Sequence, residues 1–245
     1  MLLLLLGFLF YRGTEQLDYP WQWYRVPPFL FSFEAGAFEP GPLVQGLYVT
    51  LQITGLSLFL AVAFGLISAL FRLSGSFMAK AVARAYVELM RNTPLLVQIF
   101  FVYFVLSPVL GLERFFSAVL ALSLFEGAYM SEIFRAGILS VPPSQREAAE
   151  SLGLGPWDTY QYVVLPQAVR HVLPPLTGQA ISLIKDSALV STIAVYDLTM
   201  RAQAVVAETY LAFEIWFTIA AIYLGMTLAL SLLMGFMERR LALKT

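Results

Sequence analysis

Long hydrophobic runs with few polar positions dominate this chain of 245 residues. Five runs are long enough to cross a membrane as helices, and they lie at 43–71, about 93–110, 115–134, about 172–196 and 211–237. An α-helix rises about 1.5 Å per residue and a bilayer core is about 30 Å thick, so about 20 residues suffice for one crossing. The pattern therefore predicts an all-α integral membrane protein with five core transmembrane helices.

The first 42 residues form a separate apolar and interfacial segment in this prediction. Residues 1–11 are apolar but too short to span a bilayer, which leaves open whether they form a possible extra amino-terminal helix, in part or in short form, or an interfacial segment. Tryptophan, tyrosine and proline are frequent in residues 12–42, as is typical of a membrane–water interface. A removable signal peptide fits poorly, because no basic region precedes the apolar run.

A polar stretch marked by alanine and glycine, residues 146–170, separates the third and fourth predicted spans. Two consecutive prolines end the third span and can open a short helix. We expect Ser144 to cap this helix, Glu147 to close a capping box, and Gly153 to end the helix. Its narrow apolar face consists of Ala148, Ala149 and Leu152. Such a helix suits a groove on a partner protein, and a simple turn back into the membrane is the alternative.

The composition supports a membrane protein and excludes several other classes. Hydrophobic residues make up 59% of the chain and charged residues 13%, whereas soluble domains carry about 25% charged residues. The net charge of −1 gives no basis for nucleic-acid binding. The sequence has no cysteine and a single histidine, His171, which leaves little basis for a metal cluster or a catalytic triad. It also contains no phosphate-loop motif.

The basic residues predict how the chain is oriented in the membrane. If the loop after the first span is cytoplasmic, ten of the fifteen Lys and Arg residues lie on that side, four lie on the other, and Lys185 lies within a span. Cytoplasmic loops carry the excess of Lys and Arg. We therefore expect the polar stretch and the tail at 241–245 to be cytoplasmic.

Three segments of the chain resemble a known family when they are taken together and in order. They are "VELMRNTPLLVQ" (87–98), "AYMSEIFRAGI" (128–138), and "EAAESLG" followed by "LPQA" and "LIKDSAL". They resemble the membrane permease subunits of ATP-binding-cassette importers, and more narrowly the group for polar amino acids (histidine, glutamine, glutamate, arginine and opines). The resemblance covers about 43–240. The glycine that is more usual in this family is Asn92 here, at a helix start.

The resemblance implies the type I importer permease fold and a role in ATP-driven import of a polar amino acid. The loop at about 139–168 would dock on a separate cytoplasmic ATPase. The residues implied in this coupling are Glu147, Ala148, Ala149, Leu152 and Gly153. ATP and Mg would bind to the partner ATPase, so this chain would be a transporter subunit without a cofactor and not an enzyme.

Further partners follow from the same resemblance. Five spans enclose a pathway poorly alone, so we expect a dimer with a second permease subunit, either an identical chain or a close relative. Two ATPase subunits would sit beneath it, and an extracytoplasmic solute-binding protein would meet its outer loops. The complex would lie in the bacterial inner membrane, in contact with the lipid bilayer.

Ionisable residues within the predicted spans are candidates for function, because each costs roughly 2.5–3.5 kcal/mol on insertion scales unless it finds a partner. Glu132 and Arg135 are spaced to pair on one helix. Glu126 has no local partner. Lys185 and Asp186 are adjacent and project about 100° apart, so each requires another helix, a second subunit or a solute.

An amino-acid zwitterion needs both a cation and an anion near it, which these charges can supply. The candidates for the substrate path are Glu126, Lys185 and Asp186, with Gln98, Tyr129, Gln179 and Ser187 as hydrogen-bonding residues. The Asn92–Thr93–Pro94 sequence fits a helix cap, and its position suggests a gate only by the family resemblance. We group these three with Glu132 and Arg135 as structural or gating residues.

Three alternatives remain at this stage. The first is an ATP-independent secondary transporter or channel for a small polar solute, using the intramembrane Glu and Lys residues. The second is an intramembrane enzyme, which the lone histidine and missing nucleophile motifs disfavour. The third is a membrane scaffold without transport activity. Five spans do not divide into two equal halves, which weakens the inverted-repeat architecture of many secondary transporters.

Overall fold

The computed structural model describes residues 12–13, 19–34 and 37–242, and almost all of these lie in helices. The eight main helices are α1 (Pro42–Leu73), α2 (Phe77–Arg91), α3 (Leu95–Leu110), α4 (Arg114–Leu139), α5 (Pro143–Ser151), α6 (Leu165–Asp186), α7 (Leu198–Thr209) and α8 (Ala212–Ala242). The segment at 1–11, whose position the sequence leaves open, lies outside the described residues.

Shorter elements connect these helices. A 3₁₀ turn (Trp23–Arg25), a single helical turn (Pro27–Leu30) and an antiparallel hairpin of β1 (Phe31–Glu34) and β2 (Ala37–Pro40) precede α1. A π-helical stretch, Val102–Leu106, lies within α3, and a helical turn (Pro156–Asp158) with a π-helical stretch (Thr159–Val164) leads into α6. The hairpin was not predicted, although the alternation in "FSFE" is the pattern of a short strand.

The described helices agree with a membrane-spanning bundle. Three of them, α1, α4 and the part of α8 at Ala212–Phe236, are long and apolar enough to cross a bilayer. Helices α2 and α3 pass the same test only as a pair that is bent by 109°, so the predicted span at 93–110 begins directly after a sharp bend. The stretch at 172–196 is also discontinuous, because α6 ends at Asp186 and the chain continues as a 3₁₀ helix, Ser187–Ile193.

Helices α1 and α4 approach each other closely through small residues. A Cβ atom added to Gly65 would stand 2.7 Å from the Cβ of Met130, so a larger residue would push the helices apart. Ser131 Oγ donates to Ser68 Oγ across the same interface at 3.1 Å. Small residues and interhelical hydrogen bonds provide helix association within a membrane, where lipid removes the hydrophobic driving force.

Helix α7 is fixed against the first half of α1. The Leu198 backbone amide donates to Thr50 Oγ1 at 3.1 Å, and a Cβ atom on Gly46 would lie 2.8 Å from the carbonyl oxygen of Asp197. Asp197 is also the N-cap of α7, since its Oδ1 accepts the Met200 amide at 2.9 Å. These contacts connect the stretch after α6 to the first transmembrane helix.

The aromatic segment that precedes α1 is held at the start of α8. Tyr19 Oη and the Gln22 amide each donate to one carboxylate oxygen of Glu214, both at 2.7 Å. The rings of Trp21 and Trp23 stack with centroids 5.9 Å apart. A carboxylate near the first turn of a helix is favourable because it faces the positive end of the helix dipole.

Candidate functional site

Helix α5 lies in the polar stretch, between α4 and the turn that leads to α6. Pro142 occupies the N-cap position and Pro143 is the first helical residue, where a missing amide hydrogen costs nothing. Ser144 was expected to cap the helix, but it lies inside the first turn, and no side chain caps this end. The prolines set the helix start by conformation, so the predicted capping box is wrong.

The end of α5 has the geometry that the glycine predicted. Gly153 adopts a left-handed backbone with φ of +81°, and its amide donates to the Glu150 carbonyl at 2.9 Å. The Leu154 amide donates to the Ala149 carbonyl at 3.1 Å. This pair of hydrogen bonds is the Schellman motif, which ends a helix and turns the chain sharply.

The residues implied in coupling differ in their exposure. Leu152 is 83% exposed, and Glu147, Ala148 and Gly153 are also exposed. Ala149 is only 3% exposed and faces the rest of this chain. Its side chain therefore holds α5 in place and is not free to contact a partner, so a bulky substitution at this position would disturb the chain's own packing.

Helix α5 is attached to the bundle through Arg146 as well as through Ala149. Arg146 Nη2 donates to the Ile138 carbonyl at the end of α4, at 3.2 Å. A small apolar cluster lies beside it, formed by Ile138, Val141, Val164 and Ala168. A displacement of α5 would thus be transmitted to both α4 and α6.

Glu126 on α4 and Gln179 on α6 form the central polar contact of the bundle. Glu126 is completely buried, and its Oε2 accepts a hydrogen bond from Gln179 Nε2. Its other oxygen, Oε1, has no hydrogen-bond partner among the described residues. Asp186, two turns further along α6, brings a second carboxyl group close enough to interact with Glu126. Two carboxyl groups and a free acceptor suit a cationic or hydrogen-bond-donating group of a solute.

The other path candidates do not all join this contact. Lys185 is exposed on α6. Ser187 is buried, and its Oγ donates to a backbone carbonyl one turn earlier, at 2.7 Å. Tyr129 lies half-buried with the guanidinium carbon of Arg91 5.3 Å from its ring centre. Gln98 donates its hydrogen bonds to Met90 and Thr93 and belongs to the bend described next.

The bend between α2 and α3 is stabilised by polar side chains. Asn92 Nδ2 and Thr93 Oγ1 each donate to the carbonyl four residues earlier, at 2.8 Å. Gln98 Nε2 donates to the Met90 carbonyl and to Thr93 Oγ1, both at 2.8 Å. Pro94 is the N-cap of the first α-helical part of α3. Asn92 and Thr93, which were predicted to cap a helix start, therefore mainly bond to carbonyl groups at the end of α2, and Gln98 stabilises the bend.

Glu132 on α4 accepts hydrogen bonds from arginines of three helices. The distances are 2.7 Å to Arg72 of α1, 3.3 Å to Arg91 of α2 and 2.9 Å to Arg135 of α4. The predicted pairing with Arg135 is confirmed. Arg72 and Arg91 were missed because they lie 60 and 41 residues away in sequence. The feature of the sequence that could have identified Arg72 and Arg91 is that each is the basic residue in the last turn of its helix.

Comparison with known proteins identifies the class. The family profile described as binding-protein-dependent transport system inner membrane component matches residues 61–243. The chain belongs to this family, whose members are the permease subunits of ATP-binding-cassette importers. The prediction from the three motifs is confirmed, and ATP hydrolysis is the task of a separate chain.

Several of the proteins that this chain is similar to are named as amino-acid transporters. The chain is 40% identical over 202 residues to the glutamine transport system permease protein GlnP of Escherichia coli (strain K12), covering 81% of this chain and 92% of that protein. It is 43% identical over 202 residues to the L-cystine transport system permease protein TcyB of Bacillus subtilis (strain 168), with 81% and 86% covered. A crystal structure of an amino acid ABC transporter with histidines superimposes with a TM-score of 0.76 at 41% identity, covering 81% of this chain and 94% of that one.

Proposed function

We propose that this chain forms the translocation path for a polar amino acid and that α5 couples this path to a cytoplasmic ATPase. The observation that carries the coupling is the exposure of Leu152, Glu147 and Ala148 on a short helix that is bonded to α4 through Arg146 and packs against the π-helical stretch leading into α6. An apolar side chain that is 83% exposed in a polar loop suits a pocket on a partner. Closure of the ATPase would move α5 and tilt both attached helices.

An amino acid as the transported solute is supported by two observations. The relatives include a glutamine permease, a cystine permease and an amino acid transporter crystallised with histidines. Within this chain, the carboxyl groups of Glu126 and Asp186 provide acceptors for an amino group, and Gln179 orients the first of them. Lys185 is the cation available to a substrate carboxylate. Gln98, Tyr129 and Ser187 would act indirectly, by fixing the surrounding helices.

The importer requires partners on both sides of the membrane. We propose that two ATPase subunits bind Mg and ATP beneath a dimer of permease subunits, and that a solute-binding protein docks on the opposite face. The excess of Lys and Arg on the α5 side supports a cytoplasmic location for α5 and for the carboxyl-terminal tail. The two conformations of the path must differ in free energy by only a few kcal/mol. Binding of ATP or solute could not shift the equilibrium between them across a larger difference.

The coupling is tested with the importer reconstituted in proteoliposomes with its ATPase and solute-binding protein. Leu152→Asp should abolish the stimulation of ATP hydrolysis by the solute-loaded binding protein, and should abolish uptake, while the permease still inserts and unfolds at the wild-type temperature. Gln161→Asp is the matched control, since Gln161 is exposed in the helix that follows the turn. Wild-type stimulation in the Leu152 variant, or uptake driven by a proton gradient without ATP, would contradict the proposal.

The orientation has a direct test because the natural sequence contains no cysteine. Leu152→Cys should react with a membrane-impermeant maleimide only in inverted vesicles. Glu208→Cys, exposed near the end of α7, should react in cells whose outer membrane has been permeabilised. The reverse pattern would overturn the proposed topology.

A further inference from the structure

Helix α2 presents three chemically different faces. One face is buried against the bundle through Ala83 and Val87. A second, the cationic flank, is formed by Lys80, Arg84 and Arg91, which fall on one side of the helix at about 100° per residue. A third, the apolar flank, is formed by the exposed side chains of Met78, Val82 and Leu89. The two exposed flanks lie on opposite sides of the buried face.

The position of α2 fits a membrane–water interface. It begins just after α1 ends at Leu73, and it makes an angle of 109° with α3 at the bend. A helix with one apolar and one basic flank lies in the interface, with the apolar flank among acyl chains and the basic flank in water. On the topology of the proposed function, on which this inference rests, the interface is that of the cytoplasmic leaflet.

The charges at the α1–α2 corner, which consists of α2 and the adjoining ends of α1 and α4, are not balanced. Five cationic side chains lie along α2 and near the adjoining ends of α1 and α4: Arg72, Lys80, Arg84, Arg91 and Arg135. Two carboxylates accompany them: Glu88, which Asn92 contacts at 3.0 Å, and Glu132, which three of the arginines share. Lys80 and Arg84 form no ion pair within the described part of the chain. The corner therefore carries a surplus of positive charge.

An apolar groove lies between α1 and α2 on the side of the apolar flank, with which it shares Val82. Its volume is about 200 Å³, and its lining is almost entirely hydrocarbon and aromatic. The walls include Phe64, Ile67, Phe71, Val82, Tyr86 and Leu124. Ser68, also in the wall, is one helical turn from Arg72 on the same face of α1. One end of the groove thus lies a single helical turn from Arg72.

We propose that this α1–α2 corner is a binding site for an anionic phospholipid of the cytoplasmic leaflet. The phosphate lies at Lys80 and Arg84 on the cationic flank, which faces water, and an acyl chain passes along the apolar flank into the groove beside Val82 and Phe71. A zwitterionic lipid gains little at the corner, because its own ammonium group cancels the attraction. An anionic headgroup gains about fivefold in affinity for each basic residue near the surface.

The experiment uses the complete importer in nanodiscs that contain either phosphatidylglycerol or phosphatidylcholine alone, with retained lipids counted by native mass spectrometry. Arg84→Gln should weaken phosphatidylglycerol retention about fivefold and the Lys80→Gln/Arg84→Gln double variant more than tenfold. Phosphatidylcholine retention should not change. Arg114→Gln, at the opposite end of α4, is the matched control and should retain wild-type binding. Val82→Trp, which fills the groove and keeps every charge, should also reduce retention.

Two results would overturn the lipid site. One is equal phosphatidylglycerol retention in the wild-type protein and the Lys80→Gln/Arg84→Gln variant. The other is a photo-crosslinker at position 84 that captures the ATPase or a second permease chain in place of lipid. Lipid retention is measured without transport, so a failed uptake assay with normal lipid binding would count against the proposed function alone.

Discussion

Arg72 Nη1, at the end of α1, donates to Glu132 Oε1 on α4 at 2.7 Å. Arg91 and Arg135 reach the same carboxylate, so one side chain joins the ends of three helices. The cluster lies on the α4 segment that leads into α5. It therefore fixes the relative position of the spans close to the proposed coupling helix.

Replacing the shared carboxylate should destabilise the chain. Glu132→Ala leaves three guanidinium groups facing one another, but the Glu132 side chain is 25% exposed, so we expect a loss of about 1–2 kcal/mol. That corresponds to a fall of about 2–8 °C in the melting temperature in detergent. Glu150→Ala, at an exposed position of α5, is the control. Equal melting temperatures for the two variants would show that the cluster contributes no stability.

The contact between α1 and α7 depends on the absence of a side chain at one position. Gly46→Val should lower the melting temperature by more than 5 °C, since a Cβ atom there would stand 2.8 Å from the Asp197 carbonyl and from Arg201 Cγ. Gly55→Val on the same helix is the matched control, because nothing lies within 4 Å of its added Cβ. Similar destabilisation by both variants would attribute the effect to helix conformation and not to packing.

Asp197 should make stability depend on pH. It lies before α7, outside the spans, and burial raises its pKa from 3.8 to about 6. Between these values the folded state binds more protons than the unfolded state, so the free energy of unfolding falls as pH rises from about 4 to about 6 and is then flat. We expect a fall of about 3 kcal/mol. Asp197→Asn keeps the N-cap and should flatten this part of a melting-temperature profile. An unchanged slope would assign it to another group.

The contact between Glu126 and Gln179 allows an exchange experiment. Glu126→Gln and Gln179→Glu, each alone, should reduce amino-acid uptake at least tenfold, because the first removes the carboxylate and the second replaces its amide donor with another carboxyl group. The double variant restores one amide donor opposite one carboxylate. Uptake measured in proteoliposomes should therefore recover in part, as a double-mutant cycle reports for coupled residues. Strictly additive losses would mean that the two side chains act independently.

Much of the architecture follows from local patterns along the chain. The apolar runs determine α1, α4 and α8, since a helix that satisfies its own backbone is the simplest structure in hydrocarbon. Gly153 ends α5 because a left-handed residue is needed there. The motifs around it also determined the family. Local patterns correctly indicated that the prolines open α5 but placed its cap two residues too late, at Ser144, whereas Pro142 is the N-cap and Pro143 starts the helix by its fixed backbone angle.

Tertiary structure decided which polar groups meet. Whether Glu126 faces Gln179, and whether Arg72 and Arg91 reach Glu132, depends on how each helix is rotated and tilted against its neighbours. The same packing turned Ala149 inward while Leu152 stayed exposed. The sequence determined where the chain is helical because helix formation depends on neighbouring residues. Contacts between segments tens of residues apart depend on the whole bundle, and only the tertiary structure determined them.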